Sequence, residues 1–329
     1  MNYELRIMFK TKLFFFVLLL TVILDSLFFI PPALAQSLSL SISPPILEVM
    51  IMPGKQVSQT FTIANNGQDG YAKFTLAQFF PKDEYGNISV DDAIDLTGSP
   101  LYAGWFYFEP KVFIGGGKTK DITLKISPPE TAPEKDYYFT FFYELDDEGL
   151  TIGGDSSGNT TKAKVGANIL LSVSKDGLPA KKAGQISLEA PKIIDSLQGL
   201  TYKLRVGNGG QFLFKPIGSI EIAPFFGKKE ILNLAPVNIV SSSARIVPCL
   251  SREALIECKI DKKVLLGIYK AKVSFTADEN GREYSAEAAT IAFPFSIIFA
   301  ATTIILGYLT IKKLIKKTAA EQDQIHIRH

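Results

Sequence analysis

From residue 36 onward the chain alternates apolar and polar residues with a period of two. SLSLSIS (37–43), VSQTFTIA (57–64), DITLKIS (121–127), YKLRV (202–206) and KAKVSFTA (270–277) are each short runs of this kind. Period two is the signature of half-buried strands, because successive side chains of a strand point to opposite faces. Turn chemistry separates the runs: Pro53-Gly54, Asn66-Gly67, Gly115-Gly116-Gly117 and Asn280-Gly281. Asn-Gly between alternating segments is a strong local hairpin signal, and the tri-glycine run also reads as a hairpin turn. No long amphipathic helical stretch appears before residue 291, so the pattern predicts an all-β region of stacked sheets rather than βαβ units.

One segment recurs. TFTIANNGQ (60–68) aligns without a gap on KLRVGNGGQ (203–211), matching Phe61 to Leu204, Ile63 to Val206, Asn65 to Asn208 and Gly67 to Gly210. A proline-containing strand precedes each copy, SPPILEV (43–49) and EAPKIID (189–195). The recurrence predicts two tandem immunoglobulin-like β-sandwiches. In both, the first two of these pairs face inward, Thr60, Thr62, Lys203 and Arg205 face outward, and the Asn turn reverses the chain. KDGLPAKKAGQ (175–185), poor in apolar residues, divides them into a first sandwich of residues 36–174 and a second of residues 186–290.

The ends of the chain have a different character. Arg6, Lys10 and Lys12 precede the apolar run LFFFVLLLTVIL (13–24), followed by Pro31-Pro32 and Ala33-Leu34-Ala35. These are the parts of a secretory signal peptide spanning 1–35. The alternative is a retained membrane anchor, against which Asp25 in mid-span would be costly. Residues 291–311 are 21 residues without a charge, enough to cross a hydrocarbon layer of about 30 Å. Lys312, Lys313, Lys316 and Lys317 follow, marking 312–329 as a cytoplasmic tail by the positive-inside rule. The expected topology is a single-pass type I cell-membrane protein with residues 36–290 outside. Of the formal charge of +2, residues 1–35 carry +1 and residues 312–329 carry +3, which leaves the expected ectodomain at −2. A near-neutral ectodomain has no electrostatic footprint for nucleic acid.

Candidate chemistry is sparse. Both histidines, His326 and His329, lie in the expected tail, so the ectodomain has none for a Ser-His-Asp or Cys-His arrangement or for a zinc site. Cys249 and Cys258 are nine residues apart and outside the membrane read first as a disulfide, with free structural thiols as the alternative. The carboxylates of 82–95 (Asp83, Glu84, Asp91, Asp92, Asp95, with Asn87) and of 144–155 follow no calcium-loop spacing and read as solvated turns. Gly115-Gly116-Gly117-Lys118-Thr119 leads into a strand and lacks the phosphate-loop spacing. No cofactor, metal ion or enzymatic activity is expected. The aromatic residues 105–108 and 137–143 suit a core, while an outward strip of Tyr138, Thr140 and Phe142 is a candidate contact face.

A family resemblance adds to this reading. SISPPILEVMIMPGKQVSQTFTIANNG (41–67) resembles the opening of PapD-like, immunoglobulin-type domains of bacterial surface proteins, and WFYFEPKVFIGGGKTKDITLKISPPETAPEKDYYFTFFYEL (105–145) resembles their second half. With signal peptide, second sandwich, apolar span and lysine tail, the whole chain resembles the WxL-interacting protein family. The resemblance implies membrane anchorage, a first domain that binds peptidoglycan and a second that binds a partner. The expected function is non-enzymatic binding of a cell-wall polymer or another surface protein. The alternative is a membrane-tethered PapD-like assembly chaperone acting by β-augmentation.

Overall fold

A computed structural model describes residues 40–67, 69–91, 96, 99–146, 164–252, 254–262, 264–278 and 281–326. The expected signal peptide, Asp92, Asp95, most of the 144–155 acidic segment and His329 lie outside the described residues. The first sandwich comprises β1 (Leu40–Ser43), β2 (Ile46–Ile51), β3 (Val57–Asn65), β4 (Gly70–Pro81), β5 (Ile88–Asp91), β6 (Phe106–Tyr107), β7 (Lys111–Ile114), β8 (Lys118–Ile126), β9 (Lys135–Asp146) and β10 (Lys164–Val173). One sheet has the order β1-β3-β8-β6; the other is β2-β10-β9-β4-β5, with β7 also on β4. This order is that of an immunoglobulin-like sandwich.

The second sandwich repeats the plan. It comprises β11 (Ala183–Glu189), β12 (Ile193–Asp195), β13 (Leu200–Asn208), β14 (Ile217–Pro224), β15 (Glu230–Asn233), β16 (Ala244–Val247), β17 (Cys249–Ser251), β18 (Ala254–Ile256), β19 (Cys258–Ile260), β20 (Gly267–Thr276) and β21 (Glu283–Phe293). Its sheets are β11-β13-β16, with β19 also on β13, and β12-β21-β20-β14-β15. The short ribbon β17-β18 stands apart, and Cys249 at its start is bonded to Cys258 at the start of β19. Ala183 already pairs with Asn208, so Ala183–Gln185, expected in the linker, belong to the second sandwich.

The prolines noted in the sequence divide one entering strand between two sheets. Before Pro44-Pro45, β1 pairs antiparallel with β3; after them, β2 runs parallel to β10. Around Pro191, β11 pairs with β13 and β12 runs parallel to β21. A proline has no N–H to give a ladder, so it is a natural point for a strand to leave one sheet and join another.

The recurrent segment also takes equivalent places. Phe61, Ile63, Leu204 and Val206 are fully buried, one pair in each core. Asn65 and Asn208 are buried, and the side-chain oxygen of each accepts the amide two residues on, from Gly67 at 2.9 Å and Gly210 at 2.8 Å. Such Asx turns satisfy the strand end locally. Neither turn makes a hairpin, however: β3 and β4 lie in opposite sheets, as do β13 and β14. The tri-glycine segment likewise connects β7 and β8 across the sandwich, and its Gly117 amide donates to the Asn65 carbonyl at 2.7 Å. Local composition marks a turn, but whether the chain returns to its own sheet depends on the distant strand it meets.

The C-terminal apolar segment is displaced from its expected bounds. Ile291–Phe293 end β21, paired with β12 and β20. Pro294 then stops the ladder, and a helix, α1 (Phe295–His326), begins immediately after it. Phe295–Lys313 is 19 residues with mean hydropathy 1.7. At about 1.5 Å per residue it is close to the thickness of a hydrocarbon layer. Residues 291–293 complete a sheet, with Ala292 buried in the second core and Ile291 and Phe293 exposed on the other face.

The first core is aromatic. Phe74 stacks on Phe141 at 5.3 Å, and Phe61 meets the same ring from the opposite sheet at 5.4 Å. Tyr143 reaches across, its hydroxyl 2.9 Å from the Ser41 carbonyl and 2.7 Å from that of Ala64, one proton shared between the two. Burial raises this phenol to about 12. Replacing Tyr143 by Phe leaves both strand ends without their cross-sheet donor. It is expected to cost about 1–3 kcal/mol, read as a lower unfolding midpoint of the full chain in detergent.

Candidate functional site

The two sandwiches share an extended contact. On the outer face of the sheet containing β9, Ala77, Phe79, Thr140, Leu170 and Ser172 are buried although they belong to neither core. Residues of the second sandwich cover them, and Phe212 and Ala235 are buried on that side without joining its core cluster. Tyr138, whose ring lies 5.4 Å from Phe79, is part of this layer.

Asp136 is its polar centre. Its Oδ1 accepts from the Ser172 hydroxyl at 2.6 Å, and its Oδ2 accepts from the Tyr138 hydroxyl at 2.9 Å and from the Leu213 amide of the second sandwich. Its own amide donates to the Gln211 carbonyl at 3.1 Å, and the Ser241 amide donates to the Tyr138 oxygen at 2.8 Å. Burial raises the Asp136 pKa, and the hydrogen bonds offset this only in part. The same surroundings push the Tyr138 phenol well above its usual range, burial first and the neighbouring carboxylate second.

A second attachment is the β4–β5 turn. The Asp83 carboxylate accepts the Tyr85 amide (2.8 Å), the Asn87 amide (3.1 Å) and the Asn87 side-chain amide (2.7 Å). These bonds, that of the Asn87 side chain foremost, hold its pKa below the ordinary value. The turn so shaped presents Glu84 to the second sandwich. The Glu84 carbonyl accepts the Ile246 amide at 2.7 Å, and its carboxylate takes both Nε (2.7 Å) and Nη2 (2.6 Å) of Arg205. Gly86, at φ +91°, leaves room for the Arg245 guanidinium, which a Cβ there would strike.

Between these attachments lies a cleft of about 330 Å³. Its floor is apolar, formed by Ile46, Phe79, Ile88, Leu170 and Val240. At one end Glu48 accepts from Lys215 Nζ at 2.9 Å and from Asn238 Nδ2 at 2.7 Å. Burial raises the Glu48 pKa, but these two donors outweigh it and the net shift is downward. At the other end Arg245 donates through Nη1 to the Asn238 carbonyl at 2.7 Å. Burial lowers its pKa, partly opposed by the charge of Asp83. Asn238 Oδ1 and Arg245 Nε are buried without a partner. An apolar floor with a few polar groups at its ends is the usual lining of a ligand site.

The sequence-derived site residues fall elsewhere. Cys249 and Cys258 form a buried cross-link in the second sandwich, away from this cleft. The strip of Tyr138, Thr140 and Phe142 is a free surface only in part. Tyr138 and Thr140 lie under the second sandwich, while Phe142 is half-buried beneath the Lys164 ammonium, 4.4 Å from its ring. Alternation correctly turned the strip away from the first core, but a second domain covers half of what alternation exposes. Glu84, expected to be solvated, is instead ion-paired across the interface. Asp136 and Glu48 carried an unread signal, each a lone carboxylate inside an apolar strand, KDYYFTFFY and ILEVMI. Among the described residues no cluster of His, Cys, Asp or Glu is arranged to hold a metal ion.

No family model matches the chain, and no curated protein matches it. Among solved structures, the class 5 fimbriae chaperone CfaA aligns at 13% identity over 77% of this chain and 100% of its own, with a TM-score of 0.37. The E. coli chaperone DraB aligns at 12% over 76% of this chain and 97% of its own, at 0.35. The Salmonella enterica SafA pilin in complex with the SafB chaperone gives 8%, 76% and 95%, also at 0.35. Likeness at this level carries no argument about function, and the immunoglobulin-like description rests on strand order.

The docking of the sandwiches is open to a direct test. Asparagine at position 136 offers one acceptor oxygen where the carboxylate offers two, leaving a buried donor unpaired. Asp136→Asn is expected to cost about 1–3 kcal/mol at neutral pH. Because the folded pKa of Asp136 is raised, its contribution to stability is complete below the ordinary value of 3.8 and declines as pH rises through the folded value. The deficit of the variant relative to the parent protein should therefore widen as pH is lowered from 7 toward 4 in parallel thermal melts.

Proposed function

We propose that the chain is a membrane-anchored, non-enzymatic binding protein of the cell surface. Its two docked sandwiches hold a segment of another surface protein or of a cell-wall polymer. The observation that carries this reading is the inter-sandwich cleft, with its apolar floor and the charged side chains of Glu48, Lys215 and Arg245 in its lining. Anchorage is supported by α1, whose apolar part is long enough to span a bilayer and follows the last strand across a single proline. The lysines at its far end support a cytoplasmic C-terminus by the positive-inside rule. The absence of histidine between residues 36 and 290 supports a role without acid–base or nucleophilic catalysis. The chain's resemblance to the WxL-interacting proteins agrees with this reading, and peptidoglycan is then one of the polymers to test.

A second reading, strand donation to client proteins, has one observation in its favour. Strand β2 lies at the end of its sheet beside the cleft, and its Ile46 and Met50 side chains are exposed. An outer strand of this kind is a template for β-augmentation.

The two readings separate in one experiment. Full-length protein in detergent is passed over isolated cell walls and over a surface-protein extract. The cleft reading predicts retention on one of them and a loss of affinity of about tenfold or more when Arg245 is replaced by Gln, the equivalent of at least one charge-assisted hydrogen bond. Retention on neither defeats it. Capture unaffected at Arg245 but abolished by proline substitutions along β2, with the melting temperature kept, would favour strand donation instead.

A further inference from the structure

The end of the second sandwich from which α1 emerges is apolar in a way that its core does not require. Strand register fixes which residues gather there. Strand β21 runs toward the helix, and its Ile291 and Ala292 pair with Ile268 and Gly267 at the start of β20. In turn β20 pairs Tyr269 with Pro224, the last residue of β14. The loop that follows, Phe225-Phe226-Gly227, is therefore level with the start of the helix. Strand β12, parallel to β21, ends at Asp195 opposite Phe293, so the turn containing Leu197 falls at the same end. The β19–β20 connection joins them there, its Leu265 amide donating to the Ser196 carbonyl at 2.8 Å.

These loops present large apolar side chains to solvent. Phe225 and Phe226 are each 71% exposed, and Leu197, Val264, Leu266, Phe293 and Phe295 are exposed around them. The phenylalanine pair is held in place, not trailing. The Phe225 amide donates to the Ile268 carbonyl at 2.7 Å, and the two rings meet edge to face at 4.6 Å. Both approach the Cα of Gly267, which sits at φ +88°. The helix is fixed to the same end, because the Asp195 carboxylate accepts the Ser296 amide at 2.7 Å and the Leu197 amide at 2.9 Å. Behind the apolar tip the charges are mixed but include exposed Lys192 and Lys228 beside the paired Lys229–Glu221 and Lys262–Glu230.

We propose that this end of the second sandwich rests in the membrane that α1 crosses, with Phe225 and Phe226 inserted among the lipid acyl chains. Lys192 and Lys228 lie at the level of the headgroup phosphates. The proposal rests on α1 being a membrane span. The occupant follows from continuity. A helix that enters the bilayer one proline after Phe293 carries everything at its own level to the lipid surface. Exposed phenylalanines backed by lysine are what an interfacial contact uses. Such a contact fixes the tilt of the ectodomain, because a second point of insertion beside the helix removes free rotation about the strand–helix joint.

The test uses the full chain reconstituted in vesicles of phosphatidylcholine and phosphatidylglycerol. Trp105, the chain's one tryptophan, is buried in the first core and gives a constant background. Phe226→Trp is compared with Phe80→Trp, an exposed position on the first sandwich. Lipids brominated on the acyl chain near the glycerol are expected to quench most of the emission added by Phe226→Trp and none of that added by Phe80→Trp, with aqueous iodide acting in the opposite order. Retention on the vesicles after an alkaline carbonate wash reports separately that α1 is inserted. Retained Phe226→Trp protein whose added emission is quenched by iodide and not by bromolipid overturns the proposal. Shielding from both quenchers also overturns it, because it means that protein covers the loop. Loss from the vesicles on washing defeats the membrane-span reading on which the proposal stands.

Discussion

The placement of one carboxylate organises the region between the sandwiches. Asp136 is buried at the junction, and a buried carboxylate is costly unless its oxygens are met by donors. Two of its three donors, Ser172 and Tyr138, come from its own sheet and the third is the Leu213 amide of the second sandwich. Undocking would withdraw that third donor and open the Tyr138–Ser241 bond, so these hydrogen bonds favour the docked arrangement, although burial disfavours the charge itself. Glu84 and Glu48 repeat the device at the two ends of the cleft, reaching Arg205 and Lys215. These are partly exposed pairs, worth little singly, and their effect is on orientation more than on strength. The buried apolar side chains of Ala77, Phe79 and Leu170 on the same face add a non-directional contribution.

With the sandwiches held in this way, the remaining features acquire positions. The cleft lies between the attachments and is lined by residues of both sandwiches. Asn238 spends its amide on Glu48 and its carbonyl on Arg245, leaving Oδ1 over. At the opposite end of the molecule, Asp195 caps the first turn of α1 and ties the helix to the sheet. Hydrogen bonds to these amides, that of Ser296 first, keep its pKa low.

Much of this was legible in the sequence and some was not. Period-two runs identified most of the long strands, and the recurrence at 60–68 and 203–211 marked equivalent strands in two modules, down to the same Asx turn at Asn65 and Asn208. The tri-glycine and Asn66-Gly67 turns were recognisable as turns but not as sheet crossings, whereas the strands flanking Asn280-Gly281 do pair as a hairpin, because a turn's own residues do not specify which strand its successor will meet. Ile291–Phe293 looked like the start of the apolar span because they run into it without a charge, and only their pairing with β12 and β20 assigns them to a strand. Glu84 looked like one of several solvated carboxylates, since no local pattern reveals an arginine that lies 121 residues away in the chain.

The sequence by itself determined what depends on near neighbours: alternation, turn residues, the doubled module, the apolar C-terminal segment and the lack of catalytic histidine in the region between the ends. Tertiary structure alone decided which outward faces stay exposed. Thr140 and Phe142 share one face of one strand, yet Thr140 is buried beneath a second domain while Phe142 is half-open under Lys164. Phe225 and Phe226, unremarkable in the chain, stand beside the helix because strand pairing carried them there. The physical reason is the same in each case. Hydrophobic and polar preferences are properties of a residue, whereas exposure is a property of what folds against it from far along the chain.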